Sequence, residues 1–283
     1  MKEEKVVSRF TSITQNTALN NGVLMPWLGF GVFKTQEGAQ VEQAIADALE
    51  AGYRSIDTAA IYGNEEGVGR AVAASGLKRE ELFITTKVWN SNQGYESTLK
   101  AFEESRRKLK LEVIDLYLVH WPVAGKYKDT YRALEKLYKE GHVRAIGVSN
   151  FLIPHLDDLL GSCEVVPAVN QVEFQPFLTQ PDLQSYCKDR GIQLEAWSPL
   201  LQGNLDVPLL QEIGQAHGKS AAQVILRWDL QSGVVTIPKS VTKSRIIENA
   251  DIFNFELTDE EMASINGLNK NRRFGSDPMN FNF

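Results

Sequence analysis

Eight short apolar runs, each followed by a helix-patterned stretch, recur along the chain and leave few folds open. They are LGFGVF (28–33), RSIDTA (54–59), LFITTKVW (82–89), VIDLYLVHW (113–121), RAIGVSN (144–150), AVNQVEF (168–174), IQLEAW (192–197) and VVTIP (234–238). Each is apolar at nearly every position instead of every second one. That is the mark of strands buried on both faces, in a parallel sheet covered by helices. The segments between them carry helical spacing: Val41, Ile45, Ala48 and Leu49 fall at i, i+4, i+7 and i+8, and Leu134, Leu137 and Tyr138 at i, i+3 and i+4. Gly52, Gly141, Gly191 and Gly233 each stand between a helix and the next strand, where a left-handed residue is wanted just past the helix end. Eight such units predict an α/β fold, a (β/α)8 TIM barrel, in preference to an open doubly wound sheet. Two segments fall outside that count. NTALNNGV sets Asn-Gly between two extended pieces and predicts an N-terminal hairpin. LTDEEMASI offers Thr258 and Glu261 as a capping box for an extra C-terminal helix. No linker or low-complexity stretch interrupts the chain. It reads as one domain over 1–283, with an N-terminal extension (1–16) and a C-terminal tail (270–283).

Composition removes several function classes. A formal net charge of -6 argues against a nucleic-acid partner, because neutralising phosphates needs a basic surface. No apolar run approaches the roughly 18 residues of a membrane helix. The opening MKEEKVVSRF lacks the apolar core of a secretory signal. Cys163 and Cys187 are too few for a disulfide framework, so the expected setting is the reduced cytoplasm. Four His and two Cys, scattered along the sequence, give no reason to expect a catalytic metal.

In barrels of this kind the chemistry sits at the C-terminal ends of the strands. Strand two ends on Asp57, with Tyr62 in the loop beyond. Strand three reaches Lys87 and Trp89, and strand four ends on His120 and Trp121. Strand five ends on Ser149 and Asn150, strand six carries Asn170, Gln171 and Glu173, and strand seven ends on Trp197 and Ser198. Lys87 is the most demanding, since a buried ammonium is costly unless something is paired with it. Three uses fit it: a Schiff base with a carbonyl substrate, tuning of a neighbour's acidity, or pairing with a carboxylate. A carboxylate, a phenol, an ammonium and an imidazole at one mouth can deliver a proton to a carbonyl oxygen. Lys87, held protonated by Asp57, would favour the phenolate of Tyr62 and lower a pKa that starts near about 10. That would bring the acid closer to working pH. A neutral His120 would donate a second hydrogen bond to the carbonyl.

Three motifs, in order on the eight-unit frame, resemble the aldo-keto reductase superfamily: SIDTAAIYGNEE, then TTKVW with LVHWP, then IPKSVTKSRIIEN (237–249). The likeness runs from about residue 17 to the tail. It is nearest to short-looped microbial and protozoan members, which include 2,5-diketogluconate reductases, glyoxal/methylglyoxal reductases and the prostaglandin F synthase group. The resemblance implies reduction of an aldehyde or ketone with NADPH, by a catalytic tetrad of Asp57, Tyr62, Lys87 and His120. No G-x-G-x-x-G follows a strand and no Tyr precedes a Lys by four, so neither a Rossmann cradle nor a short-chain dehydrogenase pair competes with it.

By the same resemblance, Ser149, Asn150 and Gln171 hold the nicotinamide carboxamide and Trp197 stacks on its ring, where many animal members carry Tyr. Ser198 and Leu200 lie along the pyrophosphate, and Gly31 and Val32 are further cofactor contacts. Lys239, Ser240, Val241, Thr242 and Arg245 surround the 2′-phosphate, with Glu248 and Asn249 on the adenine side. Lys and Arg beside hydroxyl and backbone donors at a helix start suit a dianion. Phe33, Trp89 and Trp121 would join His120 around a small carbonyl substrate, in a pocket left open by the brief loop of WPVAGKYKDTYRAL. The tail RRFGSDPMNFNF would either fold over that mouth or pack on the barrel's side. Members of this kind are mostly monomers. A Schiff-base lyase using Lys87 and a non-catalytic NADPH-binding regulatory subunit are the other readings.

Overall fold

The computed structural model describes residues 10–283; residues 1–9, which hold most of the charged opening and of the 1–16 extension, lie outside the described residues. The Asn-Gly segment forms the expected hairpin. β1 (Asn16–Ala18) pairs antiparallel with β2 (Leu24–Pro26), Thr17 opposite Met25, and Gly22 takes the turn at φ 83°. It sits across the N-terminal ends of the later strands: Thr17 reaches Gln193, Asn20 the Pro167 carbonyl and Asn21 the Arg144 carbonyl.

Eight parallel strands follow: β3 (Phe30–Gly31), β4 (Ser55–Asp57), β5 (Phe83–Val88), β6 (Ile114–Val119), β7 (Val143–Ser149), β8 (Val169–Glu173), β9 (Gln193–Trp197) and β10 (Val235–Thr236). Each pairs with the next in sequence. A parallel bridge between Leu28 and Thr236 joins the two ends of the sheet, with the Gly29 N–H on the Thr236 carbonyl at 2.9 Å and the Gly31 N–H on the Pro238 carbonyl at 3.0 Å. The sheet is therefore a closed barrel with no free edge. Every residue of β5, β6 and β8 is buried, as runs apolar on both faces require. The expected strands are all present, the first and last shortened to two residues of regular pairing each.

Helices α1 (Ala39–Glu50), α2 (Glu65–Ala74), α3 (Tyr95–Leu109), α4 (Tyr127–Lys139), α5 (Ile153–Leu160) and α6 (Pro181–Asp189) follow β3 to β8 in turn. The stripe Val41, Ile45, Ala48 and Leu49 is buried, as are Leu134 and Leu137. Gly52, Gly141, Gly191 and Gly233 take φ of 102°, 78°, 67° and 75° respectively, all left-handed as their places demand. One element departs from a single helix per strand. Between β9 and β10 the chain makes two, α7 (Pro208–His217) and α8 (Ala221–Gln231). Its limits are legible afterwards in Pro208 within the first turn and Gly218 at φ 64° past the end. α9 (Lys243–Ala250) follows β10, and α10 (Asp259–Asn266) is the expected extra helix, capped reciprocally by Thr258 and Glu261. No described helix is long and apolar enough to cross a membrane.

Gly69 tests how tightly the helical layer is packed. It lies inside α2, where alanine is ordinarily favoured by about 1 kcal/mol. A Cβ there would fall 2.5 Å from the Leu109 carbonyl oxygen, at the end of α3. Gly69→Ala is therefore expected to destabilise the fold by about 2 kcal/mol, and to lower Tm in a thermal melt by roughly 5 °C. An unchanged or raised Tm would mean that α2 and α3 separate freely.

Candidate active site

The polar strand ends do meet. Asp57 closes β4, Lys87 is the penultimate residue of β5, His120 follows β6, Ser149 closes β7 and Trp197 closes β9. Lys87 has no solvent access; its Nζ donates to Asp57 Oδ1 at 2.6 Å and to the Thr58 carbonyl at 2.9 Å. The other Asp57 oxygen accepts from Gln171 Nε2 at 2.8 Å. β4 and β8 lie four strands apart in a ring of eight, so this bond crosses the barrel interior. The same Gln171 nitrogen donates to Glu195 Oε2 at 2.8 Å.

Around this floor stands a chain of aromatic contacts. Lys87 Nζ lies 5.2 Å from the centre of the Tyr62 ring. Tyr62 meets Phe33 at 4.9 Å and His120 at 5.8 Å between ring centres, and His120 meets Trp89 at 5.1 Å. Burial and the Lys87 charge hold the His120 imidazole well below its ordinary value, so it is neutral. Burial works against the Lys87 ammonium, but Asp57 and then Tyr62 outweigh it and keep it above its ordinary value. The expectation for Tyr62 needs correcting in its direction. Burial is the largest influence on the phenol and raises its pKa; Lys87 opposes this as anticipated, yet Asp57 and Glu195 push upward and the net shift is up.

A second cluster adjoins the first. Ser149 Oγ donates to the Gln171 carbonyl at 2.8 Å, and Asn150 Nδ2 donates to the His120 carbonyl at 2.9 Å. Asn150 Oδ1 accepts from Trp197 Nε1 at 2.8 Å, which fixes that indole. Ser198 and Leu200 continue the chain from Trp197, Ser198 at φ 54°. The third group lies beyond β10, where Gly31 and Val32 come alongside: Gly31 donates to Pro238, and Val32 to the Asp57 carbonyl at 3.1 Å. Here Ser240 Oγ accepts from the Thr242 N–H at 3.0 Å at the start of α9. Val241, Lys239 and Arg245 are exposed, and among the described residues neither cation makes an ion pair. Glu248 and Asn249 lie further along α9, where the Glu248 backbone carbonyl accepts from Gln223 Nε2 at 3.1 Å.

A sequence profile of the aldo/keto reductase family matches residues 27–270, most of the chain. The chain belongs to that family. This aldo-keto reductase is 61% identical over 269 residues to a glyoxal reductase of Bacillus subtilis, covering 95% of this chain and 98% of that one. It is 55% identical to a 9,11-endoperoxide prostaglandin H2 reductase of Trypanosoma cruzi, covering 93% and 94%. Among solved structures it resembles an aspartate-to-alanine variant of Gox0644 in complex with NADPH, with a TM-score of 0.90, 41% identity, and coverage of 95% and 99%.

The roles of three groups of this aldo-keto reductase carry little signal in the sequence. Lys34 follows Phe33 and lies near enough to add to burial in lowering the Lys239 pKa, so a further cation faces the β10 loop. Its signal was adjacency alone. Glu195 stands two residues before Trp197, on the same face of β9, and that parity was the available signal. Glu173, whose place at the end of its strand gives no hint of a role, organises the tail. Its Oε1 accepts from the Phe274 N–H at 2.6 Å and its Oε2 from the Gly275 N–H at 3.0 Å. Gly275 then lies so close to Trp197 that a Cβ would come within 2.3 Å of the indole.

From that latch the tail crosses the mouth, not the barrel's side. Phe281 packs on Trp121 at 5.1 Å, and Phe283 lies parallel to Trp89 at 5.9 Å and edge-on to Trp121 at 5.1 Å. Asn90 Nδ2 holds the Phe283 carbonyl at 3.0 Å. Trp121 is thus 7% exposed beneath the tail, and the pocket is more covered than its short loop suggested. Glu173→Gln keeps the shape but replaces one acceptor oxygen by an N–H donor. Limited proteolysis followed by mass spectrometry is expected to show cleavage within 270–283 accelerated by about tenfold, the effect of losing one charge-assisted hydrogen bond. An unchanged rate would mean that the aromatic contacts alone hold the tail.

Proposed function

We propose that this aldo-keto reductase reduces small aldehydes, ketones and dicarbonyls to alcohols with NADPH, Tyr62 donating the proton. The observation that carries this reading is the buried Lys87–Asp57 pair beneath the Tyr62 ring, with the neutral His120 imidazole against its edge. At neutral pH the raised Tyr62 pKa keeps the phenol protonated, so the proton to be given is in place. Once it leaves, the tyrosinate faces the Lys87 ammonium, which offsets part of the cost of a buried anion. The neutral His120 has one ring N–H with which to orient and polarise the substrate carbonyl. Bound NADPH would supply the hydride. Ser149, Asn150 and Gln171 would hold its carboxamide, with Trp197, already fixed by Asn150, against the ring. Lys239, Arg245 and Lys34 bring cations, and Ser240 and Thr242 bring hydroxyl and backbone donors at the α9 start. That donor set suits a phosphate dianion. Phe33, Trp89 and Trp121 would wall the substrate. Glyoxal and methylglyoxal are the first substrates to try, supported by the 61% identity to the Bacillus subtilis glyoxal reductase.

A Schiff-base role for Lys87 fits less well. An imine begins from a neutral amine with open approach, whereas this nitrogen has no solvent access, donates to two partners and is held charged.

Tyr62→Phe removes the proton donor and little else. It is expected to lower kcat for NADPH oxidation with methylglyoxal by at least about 100-fold while NADPH binding, followed by tryptophan fluorescence, persists. Turnover at the parent rate would end the assignment. Arg245→Ala is expected to raise KM for NADPH by about tenfold and to leave KM for NADH within about twofold. An unaltered preference between the two would remove Arg245 from the 2′-phosphate.

A further inference from the structure

Glu195 is an acid that the proposed reaction does not use, buried at the centre of the groups that it does use. It stands on β9 with no solvent access. Its Oε2 takes one N–H of the Gln171 amide, and its Oε1 is buried with no hydrogen-bond partner among the described residues. The other N–H of that amide goes to Asp57. One amide therefore ties two carboxylates together, and only one of them has a cation against it. Among the described residues, the charged groups facing Glu195 are Asp57 from β4 and Lys87 from β5, and the titratable phenol of Tyr62 lies beyond them. Gln171 on β8 and Val235, its neighbour in register on β10, are uncharged. With both acids ionised, the barrel interior would hold two anions against one ammonium, which a buried site resists by retaining a proton.

We propose that Glu195 is a positioning residue that holds a proton at neutral pH, leaving the Lys87 ammonium to a single carboxylate, and that its ionisation in alkaline solution weakens Tyr62 as a proton donor. The inference rests on the reading of Tyr62 as donor. Burial, with the Asp57 charge added, pushes the Glu195 carboxyl up to about 8, against the opposing Gln171 hydrogen bond and Lys87. Below that pH the pair beneath Tyr62 is a neutral unit of one ammonium and one carboxylate. Above it a second carboxylate faces the tyrosinate that proton donation creates. Glu195 is among the groups that raise the Tyr62 pKa, so its charge makes the donated proton harder to give.

The sign for stability is opposite to that of a salt-bridged acid. An unfolded glutamate loses its proton near about 4.3, while the native Glu195 keeps it to about 8. Between those values the native state binds more protons than the unfolded one, so stability falls as pH rises and levels off above the native pKa.

Glu195→Gln removes the titration and keeps an oxygen acceptor for Gln171. The ratio of kcat at pH 9.5 to kcat at pH 6.5, with saturating NADPH and methylglyoxal, is expected to be at least about threefold higher in E195Q than in the parent. Its Tm relative to the parent is expected to climb from pH 5 to pH 8 and then stay level. Equal ratios, or a Tm difference independent of pH, would overturn the proposal. The melting curves need no turnover, so they still report on Glu195 if the chain reduces none of these carbonyls. Should E195Q fail to fold, carbon-13 NMR of the glutamate-labelled parent decides: a carboxyl titrating near pH 8 is expected, and none above pH 7 would overturn the proposal.

Discussion

The Lys87 ammonium, shut off from water inside an apolar sheet, is the charge to which the other polar groups of the mouth are fitted. Moving such an ion out of water costs several kcal/mol, which a partner recovers only with good geometry and its own remaining lone pairs satisfied. Asp57 meets both conditions. One oxygen takes the ammonium at 2.6 Å, and the other takes the Gln171 amide from the opposite side of the barrel. The Thr58 carbonyl gives the ammonium a second acceptor. These bonds lie along one layer at the C-terminal end of the strands, with the apolar residues of β5 and β6 below it.

Burial acts on Tyr62 and His120, above that layer, in opposite directions with one outcome. It raises the Tyr62 phenol and lowers the His120 imidazole, so both are neutral at working pH. The fixed charges lie beneath and the proton-carrying groups are uncharged until reaction begins. An arrangement of this kind stabilises charge as it develops instead of charge already present, which is what lowers a barrier. In the proposed reaction Lys87 would therefore act as support for the tyrosinate, since it does not make the resting phenol acidic.

The barrel was legible because its strands are buried on both faces, and the glycines past α1, α4, α6 and α8 confirmed the period. The meeting of Asp57, Tyr62, Lys87 and His120 was legible because each lies at the C-terminal end of a strand or in the loop just beyond it. The rest was hidden for specific reasons. α7 interrupts the alternation inside a connection whose helical stretch reads as one element until Gly218 breaks it. The direction of the Tyr62 shift depends on how deeply the phenol is desolvated, a quantity that no spacing encodes. Glu195 sits in IQLEAW, where an acid looks like the polar face of an ordinary strand; only closure of the barrel turns that face toward Asp57. Glu173 gained its role from backbone N–H groups about a hundred residues away, beyond the reach of any local pattern.

The β8–β9 pair connects these hidden residues. In register, Gln171 lies beside Glu195 and, two residues toward the mouth, Glu173 lies beside Trp197. The lower rung reaches across to Asp57 and the charge beneath Tyr62. The upper rung holds the tail, through the Glu173 carboxylate, against the indole that Asn150 orients. Because strands in a closed barrel have no edge along which to slip, the two rungs keep a fixed separation. Gly275 makes the upper contact close: its missing Cβ lets the tail backbone press on Trp197 at a distance no other residue permits. A change in how Trp197 is seated must therefore be felt by the tail, whose far end carries Phe281 and Phe283 onto Trp121 and Trp89. Cover over Trp89 and Trp121 and packing against Trp197 are thus held by one short piece of chain, anchored on the same strand pair that sets the charge below.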